Sequence, residues 1–130
     1  MNAAKSLVAV VDDDPTVLDS LEELLESAGY AVRCFASGRD LLVSGLSGLD
    51  ILITDIGMPG MDGFELRDVV SRERPELPVF LVTGRHELAD PARAKGISGL
   101  FRKPFDAPVL LAAIDRALHH RHQTGGKNAN

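Results

Sequence analysis

The chain contains a single cysteine, Cys34, and so it cannot form an internal disulfide bond. A lone cysteine inside an apolar stretch is typical of proteins from a reducing compartment, where it packs as a small apolar side chain. We therefore expect Cys34 to be a buried or half-buried strand residue with no role in chemistry.

Long apolar runs are also missing from the sequence. No stretch reaches the about 20 residues that are needed to cross a membrane. The residues before the first apolar run carry one lysine, Lys5, and no apolar segment of the kind found in signal peptides. These features predict a cytoplasmic protein without a membrane partner.

Positive charge is in deficit, since 14 lysines and arginines stand against 19 acidic residues and the net charge is -5. Nucleic acids and anionic membranes attract basic surfaces, so direct nucleic-acid binding by this domain is not expected. A length of 130 residues with 45% apolar residues suits one domain with a sizeable core.

Short apolar runs alternate with stretches of helical periodicity five times along the chain. The runs predict strands at Leu7 to Val11, Ala31 to Phe35, Asp50 to Thr54, Pro78 to Val82 and Ser98 to Phe101. Asp14, Ser37, Asp62 and Asp106 are candidate caps of the intervening helices. The fourth helix, over Leu88 to Lys95, has the weakest signal because Pro91 interrupts it.

The alternation predicts an α/β fold of the flavodoxin-like (βα)5 type, with a central five-stranded parallel sheet in the order 2-1-3-4-5. We assign residues 1–122 to the domain and residues 123–130, which are polar and glycine-rich, to a flexible tail or the start of a linker.

Polar residues stand where the predicted strands end. They are Asp12, Asp13, Asp55, Thr83 and Lys103. Parallel strands bring their carboxyl ends to one edge of the sheet, where open α/β folds bind their ligands. Three carboxylates, one hydroxyl and one ammonium would therefore meet at this edge.

Neighbouring carboxylates repel each other, and a hard cation such as Mg²⁺ relieves that repulsion. The same cation binds phosphate oxygens, so the set suits phosphoryl transfer. In this reading Asp55 is the nucleophile and forms an aspartyl phosphate. Lys103 pairs with one phosphoryl oxygen, and the Thr83 hydroxyl donates to another.

Four ordered motifs make the chain resemble the receiver domains of bacterial two-component response regulators, the CheY-like family. They are the acidic pair Asp12-Asp13, the segment Asp55 to Gly63 with its Met58-Pro59, the pair Thr83-Gly84, and Lys103-Pro104-Phe105. The resemblance spans almost the whole chain. Within the family, the Lys-Pro-Phe ending and the acidic first helix are similar to regulators of the FixJ type.

The resemblance implies that Asp55 accepts phosphate from a phosphohistidine on a sensor histidine kinase or a histidine phosphotransfer protein. It implies Mg²⁺ ligands from Asp12, Asp13, Asp55 and the carbonyl of Gly57, and a cis peptide between Lys103 and Pro104. Such a protein is a phosphorylated switch in signal transduction and not an enzyme.

The same resemblance implies an output that changes on phosphorylation. Two arrangements stay open, a stand-alone receiver and a receiver with an effector domain beyond the C-terminus, and a dimer formed on phosphorylation is an open alternative for the oligomeric state. The resemblance departs at Leu100, where receivers usually carry a tyrosine or phenylalanine that rotates on activation. Phe101 alternates to the other side of its strand, and we expect it to be a core residue.

Two other functions stay open at this point. One is a receiver-like docking module that is not regulated by phosphorylation. The other is a phosphatase of the haloacid-dehalogenase type, in which Asp12 is the nucleophile and Asp14 the acid and base. The phosphatase reading leaves Asp55 and its Met-Pro loop unexplained.

Overall fold

A computed structural model describes residues 5–84 and 99–128 of the chain, and residues 120–128 by their backbone alone. The strands are β1 (Leu7–Val11), β2 (Ala31–Phe35), β3 (Ile51–Asp55), β4 (Val79–Thr83) and β5 (Gly99–Arg102). The helices are α1 (Pro15–Ser27), α2 (Gly38–Ser44), α3 (Gly63–Glu73) and α4 (Ala107–Asn128). β3 and β4 begin one residue later than predicted. Ser98, where β5 was predicted to begin, and the predicted helix over Leu88 to Lys95 lie outside the described residues.

The five strands form one parallel sheet in the order β2-β1-β3-β4-β5. The predicted flavodoxin-like fold and strand order are therefore confirmed. The order places β1, β3 and β4 in the interior of the sheet. The carboxyl ends of these three strands carry Asp12, Asp13, Asp55 and Thr83.

The sheet has an apolar core on each face, which explains why its strands are continuously apolar. Alternate residues of β1 point to opposite faces, Ala9 to the core that lies under α2 and α3, and Val8 to the core that lies under α1 and α4. Phe101 of β5 is half-buried in the second core and stacks on Phe80, with ring centroids 5.5 Å apart. The expectation that Phe101 is a core residue is confirmed, and Leu100 is 46% exposed.

Helix starts follow the predicted caps. The Asp14 side chain accepts a hydrogen bond from the Thr16 amide at the start of α1. At the start of α3 the Asp62 carboxylate accepts from the Glu65 amide at 2.8 Å, while the Glu65 carboxylate accepts from the Asp62 amide at 2.9 Å. This reciprocal pair fixes where α3 begins, and hence the length of the loop after β3.

The last helix extends through Asn128 and so continues beyond residue 122, where we placed the end of the domain. The division into a domain over 1–122 and a tail over 123–130 stays a prediction. Among the described residues, no helix is both long and apolar enough to cross a membrane.

Candidate phosphoryl-acceptor site

The predicted site residues lie at one edge of the sheet, because each follows or ends a parallel strand. Asp12 comes directly after β1, and Asp55 and Thr83 are the last residues of β3 and β4. Lys103 comes directly after β5, and its backbone amide donates to the Thr83 carbonyl at 2.7 Å. Four distant segments of the chain thus meet at this edge.

Three carboxylates form a cluster of the size that a cation needs. Asp12, Asp13 and Asp55 each offer one oxygen, and these oxygens all lie within 4.8 Å of one another. Opposite ligands of an octahedral Mg²⁺ ion are about 4.2 Å apart, given Mg–O distances of about 2.1 Å. The donor set is all oxygen and carries net negative charge, so it fits a hard divalent cation.

The members of the cluster differ in burial. Asp12 is 2% exposed and Asp55 is 7% exposed, whereas Asp13 is exposed. A cation or phosphoryl group would therefore approach from the Asp13 side and meet the two buried carboxylates deeper in the site.

Lys103 supplies the positive charge of the site. Its ammonium Nζ lies 2.8 Å from Oδ2 of Asp12 and 3.4 Å from Oδ1 of Asp55. Its side chain is 22% exposed, so the ion pairs are partly shielded from water. The ammonium therefore contacts both buried carboxylates and is closer to Asp12.

Electrostatics at Asp55 favour a cation. Burial raises the pKa of Asp55, the charge of Asp12 raises it further, and Lys103 lowers it without cancelling the rise. For Lys103, burial lowers the pKa, but the hydrogen bond to Asp12 and the charges of Asp12 and Asp55 outweigh this and raise it. The negative charge of Asp55 is thus costly, and added positive charge would relieve that cost.

Both carboxylate oxygens of Asp12 accept hydrogen bonds, Oδ2 from Lys103 and Oδ1 from a backbone amide. Its Oδ1 accepts a hydrogen bond from the backbone amide of Asp14 at 2.9 Å. Sequence reasoning missed this contact, because a backbone donor has no signature of its own in the sequence. The Asp14 carboxylate is exposed and caps α1, which is a structural role. The phosphatase alternative instead assigned this carboxylate the role of acid and base.

Thr83 and Gly57 are the two remaining predicted site residues. Thr83 is 4% exposed on β4, one residue beyond Val82, which is in register with Asp55. Gly57 is exposed in the loop after β3, two residues from Asp55. Their roles as phosphate donor and metal ligand stay predictions.

The loop after β3 is hydrogen-bonded to the carbonyl of Ile56 and packs against the backbone of Asp55. The amides of Met58 and Gly63 both donate to the Ile56 carbonyl at 3.0 Å. A Cβ added to Gly63 would overlap the Asp55 carbonyl oxygen and lie 2.9 Å from the Ile56 Cα. Met58 is buried in the core under α2 and α3, so the loop is anchored at both ends.

Comparisons with known proteins agree with this geometry. The sequence profile of the response regulator receiver domain matches residues 8–115. The chain is 35% identical over 129 residues to the DNA-binding transcriptional regulator NtrC of Klebsiella pneumoniae, covering 96% of this chain and 28% of NtrC. It is 38% identical over 125 residues to the C4-dicarboxylate transport transcriptional regulatory protein DctD of Rhizobium meliloti, covering 93% of this chain and 27% of DctD.

A solved structure extends the likeness to the backbone. The CheY-like receiver domain protein of Methanospirillum hungatei superposes with a TM-score of 0.87 at 27% identity, covering 93% of this chain and 99% of that one. The chain belongs to the response regulator receiver domain family. Receiver domains are regulatory domains of two-component systems and not classical enzymes, and they bind Mg²⁺ at an acidic pocket.

Membership in this family argues against the phosphatase alternative. The chain spans about a quarter of the length of the NtrC and DctD relatives. The narrower resemblance to regulators of the FixJ type stays a prediction.

Proposed function

We propose that this chain is a phosphorylation-dependent switch in which Asp55 accepts a phosphoryl group from a phosphohistidine. The observation that carries the proposal is the joint placement of three carboxylates and one ammonium at the end of β3. Asp12 and Asp13 lie with Asp55 in one cluster, and Lys103 contacts two of the three.

In the proposed reaction a carboxylate oxygen of Asp55 forms a bond to phosphorus while the phosphorus–nitrogen bond of the donor breaks. The electron pair of that bond returns to the imidazole nitrogen of the donor, which takes up a proton from water. The product is an acyl phosphate on Asp55 and a neutral histidine. Lys103 is near enough to Asp55 to pair with the new phosphoryl oxygens, and Thr83 would donate its hydroxyl.

Asp12, Asp13, Asp55 and the carbonyl of Gly57 would hold Mg²⁺ in this proposal. The bound ion supplies positive charge that reduces repulsion between the carboxylate and the incoming phosphoryl group. Asp12 and Asp13 would bind and orient that charge, and the burial of Asp55 limits access of water to the acyl phosphate.

Membership in the family supports a wider role for this chain. A sensor histidine kinase or a histidine phosphotransfer protein would donate the phosphoryl group, and the output would pass to an effector domain or to a second copy on dimerisation. We propose the cytoplasm as its compartment, because phosphohistidine donors of this kind are made from ATP.

Acetyl phosphate with Mg²⁺ tests the proposal without knowledge of the natural donor. We expect the intact mass to rise by one phosphoryl group in the wild type and in the exposed control Asp68→Asn, and not in Asp55→Asn. A docking module would stay unmodified under all conditions. A phosphatase would consume acetyl phosphate without accumulating the modification and would depend on Asp12.

A further inference from the structure

One hydroxyl group lies inside the apolar core under α2 and α3. Thr54 is 0% exposed and follows three apolar residues in β3. Because side chains alternate along a strand, Thr54 is on the same face as Leu52, which belongs to that core. A buried hydroxyl costs free energy unless it forms a hydrogen bond, and a valine of the same shape would avoid that cost. Apolar packing alone therefore does not account for a threonine here.

The hydrogen bond of Thr54 reaches the backbone of the proposed phosphoryl acceptor. The Thr54 hydroxyl donates to the Asp55 carbonyl at 3.0 Å. The Gly63 backbone lies against the same oxygen, since a Cβ on Gly63 would overlap it. This carbonyl belongs to the peptide between Asp55 and Ile56, and the amide of that peptide donates to the Val82 carbonyl at 3.0 Å. Both polar groups of the peptide are thus held, the carbonyl by Thr54 and the amide by β4.

The orientation of this peptide bears on where the Asp55 side chain points. Asp55 is the last residue of β3, so the strand does not continue beyond it to fix its backbone. A rotation of the peptide would tilt the Asp55 Cα and move its carboxylate relative to Asp12 and Asp13, whose oxygens lie within 4.8 Å of it. A misplacement of about 1 Å in a reacting group can lower a rate about a hundredfold.

We propose that Thr54 is a positioning residue for phosphoryl transfer, whose hydroxyl fixes the peptide after Asp55 and so holds the Asp55 carboxylate in the cluster with Asp12 and Asp13. The inference rests on the proposed function, because it takes Asp55 to be the acceptor. Thr54 touches none of the reacting atoms, since its side chain is on the other face of β3 from that of Asp55. It acts through the backbone alone.

Two pairs of side chains isolate the hydroxyl. The wild type and Thr54→Val share one shape, and Thr54→Ser and Thr54→Ala both lack the γ-methyl group, so each pair differs in the hydroxyl. With acetyl phosphate and saturating Mg²⁺, we expect the phosphorylation rate constant to be about tenfold lower in Thr54→Val than in the wild type. It should likewise be about tenfold lower in Thr54→Ala than in Thr54→Ser. Intact masses of samples quenched over time give these rate constants.

Val79→Ala is the matched control for lost packing. Val79 is 2% exposed in the same core, but it begins β4, at the edge of the sheet opposite to the site. Circular dichroism checks that every variant is folded under the assay conditions. The folded control should keep the rate constant within about twofold of the wild type. Equal rate constants within both pairs would overturn the inference, and so would a tenfold loss in the control.

The dependence on Mg²⁺ separates positioning of the acceptor from binding of the cation. Added Mg²⁺ should not restore the rate in Thr54→Val or Thr54→Ala, and full recovery would overturn the inference, because Thr54 would then act on cation affinity alone. If Thr54→Val does not fold, the comparison of Thr54→Ser with Thr54→Ala decides. The two proposals fail differently. A wild type that gains no phosphoryl group removes the proposed function, whereas normal phosphorylation with equal rates within each pair removes only the role given to Thr54.

Discussion

Burial and neighbouring acids make Cys34 a poor nucleophile. Burial raises the pKa of its thiol to about 11, with smaller contributions from Glu22, Asp19 and Glu26. At about pH 8 the thiolate fraction of Cys34 is roughly a hundredfold smaller than that of an ordinary cysteine. A more basic thiolate is a stronger nucleophile, which offsets about tenfold of the loss in reaction rate. We expect iodoacetamide to alkylate native Cys34 at least about tenfold more slowly than the urea-unfolded chain.

The control for this prediction separates charge from burial. Glu22→Gln should raise the native alkylation rate, whereas the neighbouring Glu23→Gln, whose charge is not among those that raise this pKa, should leave it unchanged. Equal rates in native and unfolded protein would contradict the prediction.

Gly63 is a glycine because its backbone lies against that of Asp55. In Gly63→Ala the new Cβ would collide with the Asp55 carbonyl and Ile56, and backbone cannot yield as a flexible side chain does. We expect the free energy of unfolding to fall by about 1–3 kcal/mol. Urea denaturation followed by circular dichroism measures this, since the chain has no tryptophan to report by fluorescence.

Gly57→Ala is the matched control for stability. No atom lies within 4 Å of a Cβ at that position, so its free energy of unfolding should stay within about 1 kcal/mol of the wild type. A stable Gly63→Ala protein would mean that the loop is less tightly packed on Asp55 than the structure indicates.

At the residue scale the sequence predicted which side chains meet at the edge of the sheet better than it predicted the contacts between them. It indicated Asp12, Asp55 and Lys103, because polar residues after apolar strands in parallel folds meet at one edge. It assigned Lys103 to the phosphoryl group alone. The shorter distance to Asp12 depends on rotamers and strand register, which have no signature in a single sequence.

At the scale of elements, one side chain joins α3 to the chain that precedes β3. Nη1 of Arg74, the C-cap residue directly after α3, donates to the carbonyls of Leu46 and Leu49, both at 2.8 Å. Nη2 of Arg74 also forms a more exposed ion pair with Glu76 at 2.7 Å. The two carbonyl contacts fix the turn that leads into the strand of the phosphoryl acceptor.

Arg74→Met should lower the free energy of unfolding by about 1–3 kcal/mol, because two carbonyls lose their charged donor. Glu76→Gln removes the exposed ion pair, leaves both carbonyl contacts in place and should change the free energy of unfolding by less than about 1 kcal/mol. Arg72→Met, on the exposed side of the same helix, should be near neutral. Urea denaturation of all three variants checks this, and equal losses would contradict a special role for the carbonyl contacts.

The starts of the first three helices were predictable, because each has a cap residue directly before a stretch of helical periodicity. Asp14, Ser37 and Asp62 each cap the helix that was expected, because a short polar side chain after a strand satisfies free amides. The end of the last helix was not predictable in this way. A polar, glycine-rich segment favours a tail, yet the backbone of α4 continues through Asn128.

At the scale of the whole molecule, the site exists only in the folded chain. Asp12 and Lys103 are separated by 91 positions in sequence and meet because β1 and β5 belong to one parallel sheet. The sheet order was predictable because right-handed crossovers leave few arrangements for five alternating strands and helices. The same rules put the reactive groups at the carboxyl edge.

The most direct test of the central claim is to identify the aspartate that carries the phosphoryl group. After reaction with acetyl phosphate and Mg²⁺, borohydride reduces an acyl phosphate to an alcohol and so converts that aspartate to homoserine. Peptide mass spectrometry should find homoserine at position 55 and nowhere else. Homoserine at position 12 or 13, or at no aspartate of the phosphorylated protein, would contradict the account.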